Sequence, residues 1–222
     1  YQNLSAGNVT SYSVTGLTSQ ITYYFRVRAQ NSGGISGNSS IVQITTGVAI
    51  PTLASPTAVA IAQTEAVLGA TVPSPGAGEL TERGTVWGTS ANPTGNAQAE
   101  GSTGTGPFSH VQTGLPAGTL IYYRGYAENH LGRGYSADGS FWTVPLNPTA
   151  SPAALIAGTE FTAKWIASKG ATNYLLDVSS SSAFTNFVAG YSNRLVGKAL
   201  SGSVTGLSSQ VTYYYRVRAQ NS

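Results

Sequence analysis

Apolar and polar residues alternate along short stretches of the chain. In residues 213–220, one face carries Tyr213, Tyr215, Val217 and Ala219, and the other carries Tyr214, Arg216, Arg218 and Gln220. Alternation with a period of two predicts a β-strand with one buried face. Gly, Pro, Ser and Thr interrupt the apolar stretches within about 10 residues, a spacing typical of the strands and turns of a sandwich. The pattern predicts an all-β protein built from antiparallel β-sandwich modules.

A segment near the start of the chain returns at its end. Residues 13–32 match residues 203–222 without a gap, at an offset of 190, and every mismatch is conservative. Such identity indicates a recent duplication, and chains that repeat one module are typical of stalks, fibres and arrays. We therefore expect a tandem linear array whose 190-residue repeat holds two sandwich-sized modules.

The composition favours an extracellular or cell-surface protein. Only 9% of the 222 residues are charged, Cys and Met are absent, and 27 residues are Gly. This is unlike an average cytosolic enzyme. Because there is no Cys, burial and sheet pairing must hold each module together without disulfides.

The charge distribution argues against two kinds of partner. The net charge of +3 comes from 11 basic and 8 acidic side chains, spread along the chain without a basic run. A nucleic-acid surface needs clustered Lys and Arg, so we expect no nucleic-acid partner. No apolar stretch approaches the roughly 20 residues of a spanning helix, so we expect no membrane span within this sequence.

One group of spacings resembles a known family. Leu207, Tyr213, Ala219 and Asn221 stand at the spacings of the sixth strand of a fibronectin type III module, and Leu17, Tyr23, Ala29 and Asn31 repeat them. Residues 161–165 resemble its second strand with the buried Trp165, and residues 171–178 resemble its third strand. The resemblance implies that Tyr23 and Tyr213 form tyrosine corners.

The same resemblance divides the chain into three parts. Residues 146–222 hold a module without its last strand, and residues 1–47 hold the end of such a module, with a final strand near residues 41–46. Residues 48–145 are similar to a bacterial variant that carries Glu-Arg-Gly before a Trp, here 82–87. In this variant the corner position falls on Ile121, so we expect the corner hydrogen bond to be absent or supplied differently.

Aromatic and Arg side chains supply the candidate core and contact residues. Trp87 and Trp165 lie within strand patterns and are predicted core residues; Trp142 fits core or contact, with core favoured. A candidate exposed contact ladder on the sixth strands comprises Tyr24, Arg26, Arg28, Tyr122, Arg124, Tyr126, Tyr214, Arg216 and Arg218. Such side chains can bind sugars or protein surfaces. The favoured interpretation is cross-strand pairing within the sheet, at about 0.2 to 1 kcal/mol per pair.

The sequence contains no pattern that indicates catalysis. His110 and His130 are the only histidines, the acidic residues form no dense loop cluster, and there is no nucleophile elbow or phosphate-binding loop. We therefore expect no catalytic residues, no metal site and no cofactor.

The repeat leads to a functional hypothesis. We expect a non-catalytic structural repeat of an extracellular fibre, filament or surface stalk, whose partners are copies of itself. These copies would join head to tail, either along one long polypeptide or as subunits that complete one another's sheets with donated strands. The alternatives are an adhesin-type module that recognises glycans or a cell surface, and a spacer in a secreted hydrolase.

Overall fold

The computed structural model describes residues 2–221, and β-strands are the regular elements of this part of the chain. All strand pairs are antiparallel. The predicted fold class is confirmed: the protein is all-β, with antiparallel sheets that stack as β-sandwiches.

The N-terminal part contains short strands and no buried residue. Strand β1 (Thr22–Phe25) pairs with β4 (Val42–Thr45), and β2 (Gln30–Asn31) pairs with β3 (Gly34–Ile35). Every residue from 2 to 47 is exposed or only partly covered. Since a two-stranded sheet without a second layer is marginally stable in water, these strands gain little from burial.

Residues 52–142 form two sheets that face each other. The first sheet has the order β5 (Thr52–Val59), β6 (Glu65–Ser74), β9 (Gly106–Thr113). The second has the order β8 (Gln98–Ala99), β7 (Glu82–Gly88), β10 (Leu120–Asn129), followed on the far side of β10 by β11 (Gly132–Tyr135) and β12 (Gly139–Trp142). The sequence predicts strands at residues 66–72, 83–87 and 120–127, and β6, β7 and β10 extend these ranges by at most two residues at either end.

The side chains between these sheets form two apolar clusters. One is centred on Leu68, Ile121 and Phe141, and the other on Val72 and Phe108. The sheets approach closely at Gly125 of β10, where an added Cβ would lie 2.3 Å from the Cβ of Ala70. A side chain at position 125 would therefore force the two layers apart.

Residues 150–220 form a second pair of sheets. One has the order β13 (Ala150–Ala154), β14 (Phe161–Trp165), β17 (Ser201–Val204), and the other has β16 (Arg194–Gly197), β15 (Asn173–Ser179), β18 (Tyr214–Gln220). The core between them comprises Phe161, Ala163, Trp165, Tyr174, Leu176, Val178, Tyr191, Val204 and Val217. In the described residues β18 pairs with β15 alone, whereas β10 in the preceding sandwich is paired on both sides.

The two sandwiches meet at a small contact. The Asn221 side chain donates from Nδ2 to the carbonyl of Thr143 at 2.8 Å. Gly118 packs against the 169–170 backbone, where an added Cβ would lie 1.9 Å from the carbonyl oxygen of Lys169. Glycine is therefore needed at this junction.

Candidate functional site

The outward-facing arginines of β18 form internal ion pairs. Arg216 donates from Nε to Oδ2 of Asp177 at 2.8 Å, and Arg218 donates from Nη2 to the same oxygen at 3.2 Å. Asp177 lies on the neighbouring strand β15, directly opposite Arg216. Its side chain is 1% exposed, whereas both arginine side chains are half-exposed. These arginines thus bind within their own sheet, and Tyr214 is exposed beside them.

Asp177 is held in its charged form. Burial raises the pKa of the Asp177 carboxyl, but a hydrogen bond from the Asn193 amide, together with Arg216 and Arg218, outweighs it, so that the net shift is downward. Hydrogen bonds and opposite charges favour the carboxylate over the neutral acid. The ion pairs of Asp177 with Arg216 and Arg218 therefore hold β15 and β18 together.

In the middle sandwich the corresponding side chains are also engaged. Arg124 donates from Nε to the carbonyl of Ser136 at 2.9 Å and lies 4.5 Å from the ring centroid of Tyr135. Tyr122 is half-buried. Tyr126 was predicted to be exposed, and this prediction is wrong: it is 1% exposed.

Tyr126 is buried because a charged cluster covers its ring. The guanidinium of Arg133 lies 4.1 Å from the ring centroid, and the Tyr126 hydroxyl donates to Oε1 of Glu82 at 2.5 Å. Burial, followed by the hydrogen bond to Glu82, raises the pKa of the Tyr126 hydroxyl. The sequence alternation placed Tyr126 on the outward face but could not show that Arg133 of β11 lies over it.

The Glu-Arg-Gly sequence at 82–84 has a structural role in the middle sandwich. Arg83 is buried, donates from Nε to Oε2 of Glu100 at 2.9 Å and donates from Nη1 to the carbonyl of Gly104 at 2.6 Å. The hydrogen bond from Arg83 is the main reason why the pKa of Glu100 is lowered. Arg83 thereby fixes the glycine-rich loop 101–106 to the sheet.

The ladder residues of the N-terminal part are exposed. Tyr24, Arg26 and Arg28 all face solvent, and Arg28 donates from Nη2 to Oδ1 of Asn3 at 2.5 Å. The same bond joins Arg218 to Asn193, at an offset of 190 residues. Within the described residues no carboxylate stands where Asp177 stands for β18.

Both predicted corner tyrosines make the same local hydrogen bond. The Tyr23 hydroxyl accepts from the backbone amide of Thr18 at 3.0 Å, and the Tyr213 hydroxyl accepts from the amide of Ser208 at 3.1 Å. In each case the tyrosine and the donor are five residues apart. These are the bonds that a tyrosine corner requires.

Sequence analysis missed a threonine clamp at the end of the last strand. Thr143, which is fully buried, donates from its hydroxyl to the Pro116 carbonyl at 2.6 Å and accepts from the Thr119 amide at 3.0 Å. This clamp lies beside the corner position, where Ile121 replaces the tyrosine. The signal was available: an apolar residue precedes Thr143 by two positions, as Ile44 precedes Thr46.

Thr46 makes the same clamp in the N-terminal part. Its hydroxyl donates to the Thr18 carbonyl at 2.6 Å and accepts from the Ile21 amide at 3.1 Å. Strand β4 therefore ends in the same way as β12. The repeat equivalents of the clamped residues are Ser208 and Val211, which flank the turn at residues 209–210.

The tryptophans differ in environment. Trp165 is buried in the core of the last sandwich, and Trp87 is half-buried and packs against the Leu68 cluster. For Trp142 the favoured prediction, core, is wrong: it is 46% exposed because it faces outward on β12, while its neighbour Phe141 faces the core.

The two copies of the repeated segment, residues 13–32 and 203–222, lie in different environments. Val27 is 69% exposed, whereas its equivalent Val217 is 8% exposed. Ile44 of β4 is 55% exposed, whereas Phe141, at the same register position opposite β10, is 8% exposed. The N-terminal hairpin therefore presents, without a cover, a surface that the other two parts bury.

Residues 2–221 contain neither a metal-binding cluster nor a membrane-spanning helix. No three His, Asp or Glu side chains come close enough there to hold a metal ion. That part of the chain also lacks a helix with the length and apolar character needed to cross a bilayer.

The fold and the hydrogen-bonding pattern define the class of these modules. The strand order of both sandwiches, with the tyrosine corner of the last one, is that of a fibronectin type III-like fold. The chain resembles the crystal structure of the chicken CNTN1 FN1–FN3 domains with a TM-score of 0.36 and 20% identity, covering 94% of this chain and 73% of that one. A score this low adds no argument about function.

One curated relative matches a short segment. The Kelch domain-containing protein SSO1033 of Saccharolobus solfataricus is 58% identical over 43 residues, which is 19% of this chain and 6% of that protein. The chain thus covers a small fraction of this relative. No family model matches the sequence.

Proposed function

We propose that this chain is a non-catalytic structural repeat of an extracellular fibre, filament or surface stalk, assembled head to tail with a period of 190 residues. The contrast between Val27 and Val217 carries the proposal. The two residues have nearly identical sequence neighbours, yet one lies in a core and the other in solvent. The exposed copy has every local feature of a sandwich strand pair but lacks a second layer.

The geometry of the arrangement supports an open-ended assembly. The uncovered hairpin lies at residues 22–45, and the strand with an unpaired side, β18, lies at residues 214–220. A contact between different surfaces of identical units is heterologous, and it extends into a filament unless its rotation closes a ring. Low charge, at 9% of residues, limits the repulsion between neighbouring units.

The adhesin-type alternative has weaker support in the complete sandwiches. There, Arg124, Arg216 and Arg218 are held by partners of the same sheet, and Tyr126 is buried. A ligand would have to compete with these internal contacts. Cross-strand stabilisation accounts for the ladder without a ligand.

Self-association of the 222-residue chain tests the proposal. We expect sedimentation velocity to show species that grow with concentration, and negative-stain electron microscopy to show linear particles. In intact native material, a sharp band near 22.8 kDa after denaturation would indicate separate subunits, and a much larger polypeptide would indicate one long chain. A chain that stays monomeric at every concentration reached, but binds glycans saturably on an array, would favour the adhesin instead.

A further inference from the structure

We propose that strand β4 of one copy adds to the unpaired side of β18 in a second copy, with Ile44 filling a groove and Thr46 closing a clamp. This inference rests on the proposed function and specifies its contact. The register is Thr212 opposite Thr45, Tyr213 opposite Ile44, Tyr214 opposite Gln43, and Tyr215 opposite Val42.

The register follows from the pairing of β4 with β1. Tyr23 lies opposite Ile44, and Tyr24 lies opposite Gln43. Residues 212–215 repeat the sequence of β1, with Tyr215 in place of Phe25 as the one change. Strand β4 can therefore leave β1 for β18 and form the same ladder of backbone hydrogen bonds, so that the exchange costs no pairing.

The groove that receives Ile44 lies beside the start of β18. It has a volume of about 290 Å³ and is lined by apolar side chains that include Phe161, Leu207, Tyr213 and Tyr215. In the middle sandwich the equivalent space, next to Leu115, Ile121 and Tyr123, is filled by Phe141. Phe141 comes from β12, the strand that occupies the place proposed for β4.

The equivalence of the two spaces is supported by matching backbone bonds. The Leu115 amide donates to the Thr64 carbonyl at 3.0 Å, and the Leu207 amide donates to the Thr159 carbonyl at the same distance. The two grooves are thus framed alike. They differ in that one contains its strand and the other has none among the described residues.

The Thr46 clamp fixes the position of the donated strand along β18. In the hairpin, Thr46 binds the Thr18 carbonyl and the Ile21 amide. The matching groups in β18's sandwich are the Ser208 carbonyl and the Val211 amide. Val211 is 45% exposed there, so the turn that carries these groups lies at the surface.

The hairpin of a second copy cannot add to β18 intact. In the hairpin, the edge of β4 that would pair with β18 is already paired with β1. To pair through its other edge in the same direction, β4 would have to turn by 180° about its own axis, and this would point Ile44 away from the groove. Strand β4 must therefore change partners, and the gain is burial of Ile44, which is 55% exposed in the hairpin.

Cysteine cross-linking in the full 222-residue chain tests the register, because the native chain contains no Cys. Gln43→Cys mixed with Tyr214→Cys should form a disulfide-linked heterodimer under mild oxidation, and so should Thr45→Cys with Thr212→Cys. Residues directly opposite in an antiparallel pair have Cα atoms about 4.5 to 5.5 Å apart, within disulfide reach. The crossed mixtures, Gln43→Cys with Thr212→Cys and Thr45→Cys with Tyr214→Cys, are displaced by two residues and should link poorly.

A second measurement uses the groove and clamp. Ile44→Ala and Thr46→Val should each weaken self-association about tenfold or more, as expected from lost burial or a lost hydrogen bond. Val9→Ala is the matched control, since Val9 is 56% exposed in the same part of the chain but lies outside β4. It should leave association unchanged.

The outcomes separate this inference from the proposed function. Assembly that persists in the Ile44→Ala and Thr46→Val variants, or that links the crossed cysteine mixtures equally well, overturns the strand donation and leaves the structural role intact. If the whole hairpin of a second copy took the place of β18, Gln43 would stay beside Tyr24, and the cysteines at positions 43 and 214 would form no disulfide. That result also overturns the strand donation. A chain that never associates contradicts the proposed function itself.

Discussion

The carboxylate of Asp177 lies beneath Arg216 and accepts a hydrogen bond from its Nε at 2.8 Å. Asp177 is 1% exposed, and the arginine that covers it is half-exposed. Arg216, which sequence analysis placed in a contact ladder, therefore covers the buried charge of Asp177. The relationship makes the stability of the last sandwich depend on pH.

Replacing Asp177 should remove an acid-sensitive contribution to stability. Its pKa is lowered by folding, so the contribution is present above the ordinary carboxyl pKa and is lost as the pH falls through the folded-state value. Asp177→Asn should cost about 2 kcal/mol at neutral pH, through the loss of charge-assisted hydrogen bonds. Urea unfolding between neutral and acid pH measures both effects.

The control for Asp177 is Glu79→Gln, because Glu79 is exposed. This variant should unfold like the parent at every pH. If Asp177→Asn and the parent lost stability in parallel on acidification, Asp177 would not be the group that titrates.

The corner tyrosines should differ in their effect on stability although they make the same bond. Tyr213→Phe removes the hydroxyl that binds the Ser208 amide and should destabilise the last sandwich by about 1 kcal/mol. Tyr23→Phe removes the same bond from a part without buried residues. In monomeric protein it should leave the unfolding transition unchanged; equal losses would mean that the N-terminal part unfolds together with a core.

Thr143 should prove more important than its position at a strand end suggests. Thr143→Val keeps the shape but loses the bonds to Pro116 and Thr119, at about 1 to 3 kcal/mol. Thr46→Val is the matched control, and in dilute monomer it should not change thermal unfolding. A neutral Thr143→Val variant would show that water satisfies both backbone groups.

Hydrogen exchange should divide the chain at about residue 47. In dilute monomer, the amides of β1 and β4 should exchange rapidly, since local opening there exposes no core. Amides of β6, which lies between β5 and β9, should be protected by the global stability of the sandwich. At concentrations that favour assembly, β4 should gain protection; protection of β4 in dilute monomer would contradict the exposure of this segment.

Local sequence patterns predicted the features that are determined by residues close to one another along the chain. The resemblance of residues 161–165 to the second strand of a fibronectin type III module gave the bounds that β14 has, and the inward residues of this strand all reach one core. The corner spacing placed both Tyr23 and Tyr213, because that hydrogen bond spans five residues and needs no distant partner.

Errors arose where the environment is supplied by another strand. Tyr126 and Trp142 were assigned to the wrong surroundings because Arg133 of β11 covers the first, and the second is the outward neighbour of Phe141 on β12. The Thr143 clamp was missed because its partners lie 24 to 27 residues away. Alternation along a strand predicts on which face of the sheet a side chain lies. It does not predict which other residues cover that face.

The sequence by itself determined the class of the fold, the strands and the repeat, since these depend on side-chain alternation, turn residues and identity between segments. Tertiary structure decided which copy of the repeat is buried. Val27 and Val217 have the same local preferences, and only the sheet that faces Val217 brings it into a core. Burial is a property of the opposing layer, and no segment encodes its partner's presence in its own residues.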